Sequence, residues 1–268
     1  MHYLLFCFSV VFSTYGNKGY SAESEFSRNY LDEMVQKAES GDLNAQWKLG
    51  LMYAAGSFVS KDSSKAVHWW RKGADSGDPA SQNSLGEMYL AGVGVKKNEK
   101  EALRWFTEAA RQRNVGAYYN LGVIYYEGLG VPKNVTDAFN WYKAAADEGH
   151  AKAQSNLGAM NENGIGTKVD LVIAREMYLK SALQGNKVAQ SNIGHLFYRG
   201  RGVAKDLTET YAWWKLASDG GSTDDKRNLA ILEGEITPSQ KELALSKADQ
   251  IQIRIRSALV DRMQAIGK

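Results

Sequence analysis

The sequence predicts an all-α protein, a right-handed superhelical solenoid of antiparallel helix pairs, and two observations carry that prediction. The first is a register of 36 residues. Leu49, Leu85, Leu121, Leu157 and Ile193 recur at that spacing, and each is followed by a glycine, Gly50, Gly86, Gly122, Gly158 and Gly194. A fixed period of this length marks a stacked array in which each unit buries its apolar face only against its neighbours. The second is composition. Of 268 residues 26 are Gly and only 3 are Pro, so turn formers abound while the residue that breaks helices is nearly absent.

The chain opens on an apolar run, residues 4–12, followed by Ser13, Thr14, Gly16 and the small pair Ser21-Ala22. A bilayer span needs about 20 apolar residues, so residues 1–22 are expected to form a secretory signal, with cleavage after Gly16, Ser21 or Ala22 left open. The single cysteine, Cys7, lies inside it. The exported chain would then hold no disulfide framework and no cysteine nucleophile, and no membrane span.

Residues 23–42 are expected to be an N-terminal half repeat, because 30–41 match the second helix of the unit alone. Residues 43–221 hold five full repeats. In the first helix Ala45, Leu49, Met52 and Tyr53 keep the spacing of one helical face. Gly50 sits mid-helix, where it costs about 1 kcal/mol against Ala, so it is expected to admit a neighbouring helix. Gly92-Val93-Gly94-Val95 closes the first helix of the second repeat with glycines able to take positive φ. Asp62, Asn98, Asn134, Asp170 and Asp206 are expected to cap the second helices, with Glu101, Asp137 and Glu209 as capping-box partners. Gly77, Gly149, Gly185 and Gly221 end those helices. Arg113 replaces that glycine in the second repeat, which predicts an altered turn. The column Trp69, Trp105, Trp141, Met177 and Trp213 is assigned to the core.

Residues 222–268 read as a C-terminal half repeat and a long capping helix. Residues 224–236 match a first helix alone. Thr237-Pro238-Ser239-Gln240 is a second helix start, with Thr237 as N-cap and Gln240 closing the box. The helix is expected to reach Ile266. Its residues Ala244, Ala248, Ile251, Ile255, Leu259 and Ile266 share one face that would cover the last repeat, although Ile251-Gln252-Ile253-Arg254-Ile255 also alternates as a strand does.

The chemistry-bearing patterns point away from catalysis. Lys+Arg exceed Asp+Glu by only 33 − 30 = 3, with no long basic stripe, so nucleic acid is not an expected partner. Gly92-x-Gly94 and Gly200-x-Gly202 follow helices rather than strands and recur as connectors, unlike phosphate loops. His68, His150 and His195 form no pair at metal-ligand spacing, and no Gly-x-Ser-x-Gly elbow is present. Asn134-Val135-Thr136 fits a glycosylation sequon but reads more simply as an N-cap. No catalytic residue, metal or cofactor is expected.

The informative positions are those the fold does not require. At about 100° per residue, columns 47, 51 and 54 lie opposite the core stripe, on what would be the concave surface. They carry Trp47, Leu51 and Ala54; Asn83, Glu87 and Leu90; Tyr119, Val123 and Tyr126; Ser155, Ala159 and Glu162; Ser191, His195 and Tyr198. Apolar and aromatic anchors with a polar surround are what a peptide-docking groove needs. The candidate site is therefore Trp47, Leu51, Asn83, Glu87, Leu90, Tyr119, Val123, Tyr126, Glu162, His195 and Tyr198, the alternative being that several pack against neighbouring first helices. Asn120, Asn156 and Asn192 are candidates to bond a bound peptide backbone or, equally, to bond between repeats.

The pattern Ala-x3-Leu-Gly-x2-Tyr-x2-Gly-x-Gly-Val-x2-Asn-x3-Ala-x2-Trp-x4-Ala, best seen at residues 117–146, resembles the Sel-1-like repeat, a relative of the tetratricopeptide repeat. The resemblance covers about residues 26–240. Departures are Phe58 for the second connector glycine, and Asn161, Thr167 and Met177 in the fourth repeat. The resemblance implies a non-enzymatic scaffold, exported to the periplasm or secreted, that binds a protein or peptide. It also implies two alternatives, a periplasmic regulator of a membrane sensor or part of an envelope assembly machine, and a β-lactam-binding relative. The last group is cysteine-rich, unlike this chain.

Overall fold

A computed structural model describes residues 20–266; the apolar run 4–12 and Cys7 lie outside the described residues. Every element among them is a helix: α1 (Tyr20–Glu39), α2 (Leu43–Ala55), α3 (Ser63–Asp75), α4 (Pro79–Ala91), α5 (Glu99–Arg111), α6 (Val115–Glu127), α7 (Val135–Asp147), α8 (Ala151–Asn163), α9 (Leu171–Ala182), α10 (Lys187–Arg199), α11 (Leu207–Ser218), α12 (Thr223–Leu232) and α13 (Pro238–Ile266). Consecutive helices pack as pairs, α2 with α3, α6 with α7, α8 with α9 and α10 with α11, in the manner of a solenoid. The chain divides into two compact units, Met1–Ala109 and Ala110–Lys268.

The mid-helix glycines act as seats for aromatic rings. A Cβ added at Gly158 would lie 2.7 Å from Cδ1 of Tyr178, and one at Gly86 2.6 Å from Cε1 of Phe106. Trp70 takes the same seat on Gly50, Tyr142 on Gly122 and Trp214 on Gly194. These five rings are buried. The two tryptophans also give their indole N–H to a carbonyl three residues before the glycine, Trp70 Nε1 to Trp47 O and Trp214 Nε1 to Ser191 O, each 3.2 Å. The column assigned to the core from sequence stands one residue earlier and is shallower. Trp69, Trp105 and Trp213 are buried, whereas Trp141 and Met177 are half-buried, and Trp141 stacks on Tyr118 at 5.8 Å.

The expected N-caps all accept amide hydrogen bonds, as Asp62 does from Ser64 and Lys65 and Asn98 from Glu101. The capping boxes expected within the repeats do not form. The N-cap amides that Glu101, Asp137 and Glu209 would have accepted already donate to the carbonyl nine residues earlier, Asn98 to Tyr89, Asn134 to Tyr125 and Asp206 to Phe197. The acids therefore turn elsewhere: Glu101 pairs with Arg104 at 2.9 Å, Asp137 accepts from the Asn134 side chain at 2.6 Å, and Glu209 binds Lys247 at 2.6 Å. Before α13 no such carbonyl competes, and the reciprocal box is complete: Thr237 N–H to Gln240 Oε1 at 3.0 Å and Gln240 N–H to Thr237 Oγ1 at 3.3 Å.

Two further columns hold the repeats in series. Asp42, Asp78, Asn114, His150 and Asn186 cap the first helices. Gln46, Gln82, Gln154 and Gln190 are buried and donate to the carbonyls of Ala38, Ala74, Ala146 and Ala182, closing the end of the preceding second helix. Tyr118 stands in that column in the third repeat.

The altered turn expected at Arg113 does not occur. Arg113 adopts the left-handed φ of 61° and its N–H donates to Ala110 O at 2.9 Å, as that of Gly149 does to Ala146 O. Arg113 thus takes the left-handed conformation that glycine takes in the sister repeats, at a backbone cost. α13 is helical throughout, which removes the strand alternative at 251–255. Ala244, Ala248 and Ile255 are buried and Ile251 packs with them against the last repeat.

Gly158→Ala is expected to lower unfolding stability by about 1–3 kcal/mol through overpacking against Tyr178, the opposite sign from the helix-propensity gain of about 1 kcal/mol. Arg113→Gly is expected to raise it by about 1 kcal/mol. Urea melts of the two variants check both signs.

Candidate interaction surface

Columns 47 and 54 stand three residues before and four after the glycine of each first helix, so they flank the aromatic ring seated on it. That placement gives the candidate surface a support the sequence does not reveal. In the unit Met1–Ala109, Trp47 and Leu51 on α2 are half-buried and pack on the cluster built around Trp70 and Leu85, and Ala54 is itself buried. On α4, Asn83 Nδ2 donates to Glu87 Oε1 at 3.0 Å and Leu90 is half-buried.

In the unit Ala110–Lys268 the candidate residues tie adjacent repeats together. Tyr119 on α6 lies 5.8 Å from the Tyr142 ring and stacks on His150 at 4.6 Å. Asn156 on α8 lies close enough to Tyr119 and Tyr142 to offset a part of what burial does to their phenols. Burial pushes both phenols above their ordinary range. Val123 and Tyr126 are half-buried against the same cluster, and Lys133 Nζ sits 4.8 Å from the Tyr126 ring.

Glu162, at the column that holds Tyr126 and Tyr198 elsewhere, is an internal acceptor. Its carboxylate takes the Tyr178 hydroxyl at 2.9 Å and the Arg201 guanidinium at 2.6 Å, while its carbonyl accepts a second Arg201 bond at 3.1 Å. The fourth-repeat departure beside it is satisfied in the same economical way: Asn161 is buried and donates to Leu157 O at 2.8 Å. On α10, His195 meets Trp214 edge-on at 4.9 Å. Tyr198 lies 5.3 Å from the same indole, gives its hydroxyl to Glu235 at 2.8 Å and carries Lys205 at 4.9 Å from its ring. Ser155 is buried, and Asn120 and Asn192 are half-buried.

The expectation that these apolar columns lack local packing is therefore corrected. Four of the buried rings meet these columns from below: Trp70 under Trp47 and Leu51, Tyr142 beside Tyr119, Tyr178 on Glu162, and Trp214 under His195 and Tyr198. Sequence reasoning misses Arg201 and the capping role of His150. Arg201 stands where the sister repeats carry Ser57, Val93, Leu129 and Ile165, and that contrast is the signal that finds it. Among the described residues no group of three His, Cys, Asp or Glu is placed to hold a metal, and no helix is long and apolar enough to cross a membrane.

His150 is the histidine among the first-helix caps. Its Nδ1 accepts from the Ala153 amide at 3.2 Å, so Nε2 carries the proton of the neutral ring. Burial first, then Lys152, hold its pKa below the ordinary value; burial and Arg199 do the same for His195. The unfolded chain thus binds these protons more readily. Stability is complete above the unfolded histidine pKa of about 6.5 and is lost as pH falls below it. His150→Asn keeps a cap of the kind Asn114 and Asn186 provide, and is expected to shrink the fall in Tm between pH 8 and pH 5, measured by thermal melts side by side with the parent.

Five copies of the Sel1 repeat are matched, at residues 43–78, 79–114, 115–150, 151–186 and 187–222. Comparison with curated proteins gives no match. Among solved structures, c5321, a protective antigen present in uropathogenic Escherichia coli strains and displaying an SLR fold, is similar at 31% identity and TM-score 0.71, over 82% of this chain and 48% of its own. This chain thus spans about half the length of that protein. A Sel1 repeat protein from Oxalobacter formigenes is similar at 28% identity and TM-score 0.70, over 85% of this chain and 94% of its own. A Klebsiella pneumoniae protein shares the fold at 19% identity and TM-score 0.51, over 76% of this chain and 99% of its own. With repeats that abut without a gap from residue 43 to residue 222, the chain belongs to the Sel1 repeat family, whose members generally mediate protein–protein interactions.

Proposed function

We propose that the chain is an exported, non-enzymatic adaptor that binds a protein or peptide segment along the face of its first helices. The observation that carries the reading is the state of Tyr126 and Tyr198. Both rings are half-exposed, yet each is fixed by a lysine and by the layer beneath. Aromatic side chains already held in one geometry give up little entropy when a ligand covers them, which favours their use as binding anchors. Trp47 and Leu51 on α2 are likewise half-buried and packed on the layer beneath. The apolar run 4–12 supports export, and the absence of a catalytic motif in the sequence supports a binding role.

The test is a double variant, Tyr126→Glu with Tyr198→Glu. The new carboxylates have Lys133 and Lys205 beside them, and because Tyr198 gives its hydroxyl to Glu235 a Tyr198→Gln variant, whose amide can still donate there, is measured alongside to separate loss of binding from loss of folding. Proteins captured from an envelope extract by the immobilised parent chain are identified, and their affinity is then measured by calorimetry. Affinity for such a partner is expected to fall at least about tenfold, or about 1.4 kcal/mol, with Tm nearly unchanged. An undiminished affinity overturns the assignment of this face.

A further inference from the structure

The fourth repeat differs from its sisters on the outer side of its second helix. Val169, Val172, Ile173 and Leu179 are exposed by 58%, 63%, 40% and 38%. The other four repeats carry polar residues at all four columns. Lys61, Lys97, Lys133 and Lys205 match Val169; Ser64, Lys100, Thr136 and Thr208 match Val172; Lys65, Glu101, Asp137 and Glu209 match Ile173; Arg71, Thr107, Lys143 and Lys215 match Leu179. An array that leaves these polar columns to solvent in its first three repeats, covers them with α13 in the fifth, where Thr208 is buried and Glu209 binds Lys247, and makes them apolar and exposed once has a local use for that surface. Val188, at the start of α10, extends it with 64% exposure.

Charge identifies the occupant. At about 100° per residue, Val172, Ile173, Glu176, Leu179 and Lys180 fall within one arc of α9 of about 120°. The only charges in that arc are one acid and one base, Glu176 and Lys180, paired at 2.7 Å with both side chains more than half exposed. An arc with one charge of each sign is its own complement under a two-fold axis. Laying α9 antiparallel on α9 of a second copy, with the axis near residue 178, sets each Glu176 against the second copy's Lys180. The same register brings Val169, Val172 and Ile173 towards the other helix's C-terminal end, where Leu183 and Val188 stand. We infer that α9 of the fourth repeat is a self-association face, and that the chain forms a two-fold dimer through it. The exposed side chains offer roughly 400 Å² of apolar area per copy, so a pair buries on the order of 800 Å² there, the size of a weak and reversible interface.

Sedimentation velocity of the 268-residue chain over a series reaching hundreds of micromolar tests this. The parent is expected to shift from monomer to dimer with a micromolar midpoint. Val172→Thr with Ile173→Glu, which installs the residues of the fifth repeat, is expected to stay monomeric while keeping its circular dichroism and Tm. Glu176→Lys and Lys180→Glu should each weaken association about tenfold, and the two together should restore it, because only a face that meets itself exchanges the two charges. A parent that is monomeric throughout, a Val172→Thr, Ile173→Glu variant that still dimerises, or a charge exchange that fails to restore association overturns the inference.

Discussion

An aromatic ring seated on a glycine sets the distance at which each helix pair meets. Five glycines in the first helices give up helix propensity, and five rings from the second helices occupy the space a methyl group would take. Packing at that distance does what a larger hydrophobic layer does in a globular domain, since each repeat has only two short helices with which to exclude water. The seat also fixes the surface. Trp70, Tyr142, Tyr178 and Trp214 each touch a residue three before, one after or four after the glycine, so side chains on the outer side of those helices inherit the order of the core.

Period, helix pairing and the caps of the second helices were legible in the sequence because they depend on local chemistry. Asp or Asn before a helix accepts amides whatever surrounds it, and glycine at a connector takes positive φ wherever it stands. The failures are tertiary. Glu101, Asp137 and Glu209 satisfy the rule for a capping box, but a carbonyl nine residues upstream reaches the N-cap amide first. Trp69 and Trp70 are adjacent in sequence and about 100° apart on a helix, and nothing local says that the second of them finds the glycine. Arg113 predicts an altered turn, yet the arginine takes the left-handed conformation of the glycine it replaces.

The candidate surface was legible as a set of columns and not as a set of contacts. Tyr119, Tyr126 and Tyr198 stand where the period puts them. That Arg201 crosses a repeat boundary to hold Glu162 depends on side chains 39 residues apart in the chain, a separation at which single-residue rules carry no information. The fourth repeat shows how freely such details vary. It replaces an aromatic by a buried Asn161, a tryptophan by Met177, an Asp or Asn cap by His150 and four polar positions by apolar ones, while its glycine seat and the Asp170 cap remain those of its sisters.

The buried glutamines bear on how such a chain changes length. Each ties its amide to the final carbonyl of the preceding helix pair, with the same eight-residue separation at residues 46, 82, 154 and 190. Donor and acceptor therefore sit on opposite sides of every such boundary in the same register. Excising or duplicating a whole repeat between two of these boundaries joins a glutamine to an equivalent carbonyl, so this buried hydrogen bond is remade at the new junction. The joint is interchangeable in that respect, and contacts particular to one boundary, such as Arg201 with Glu162, are what a lengthened array would have to adjust.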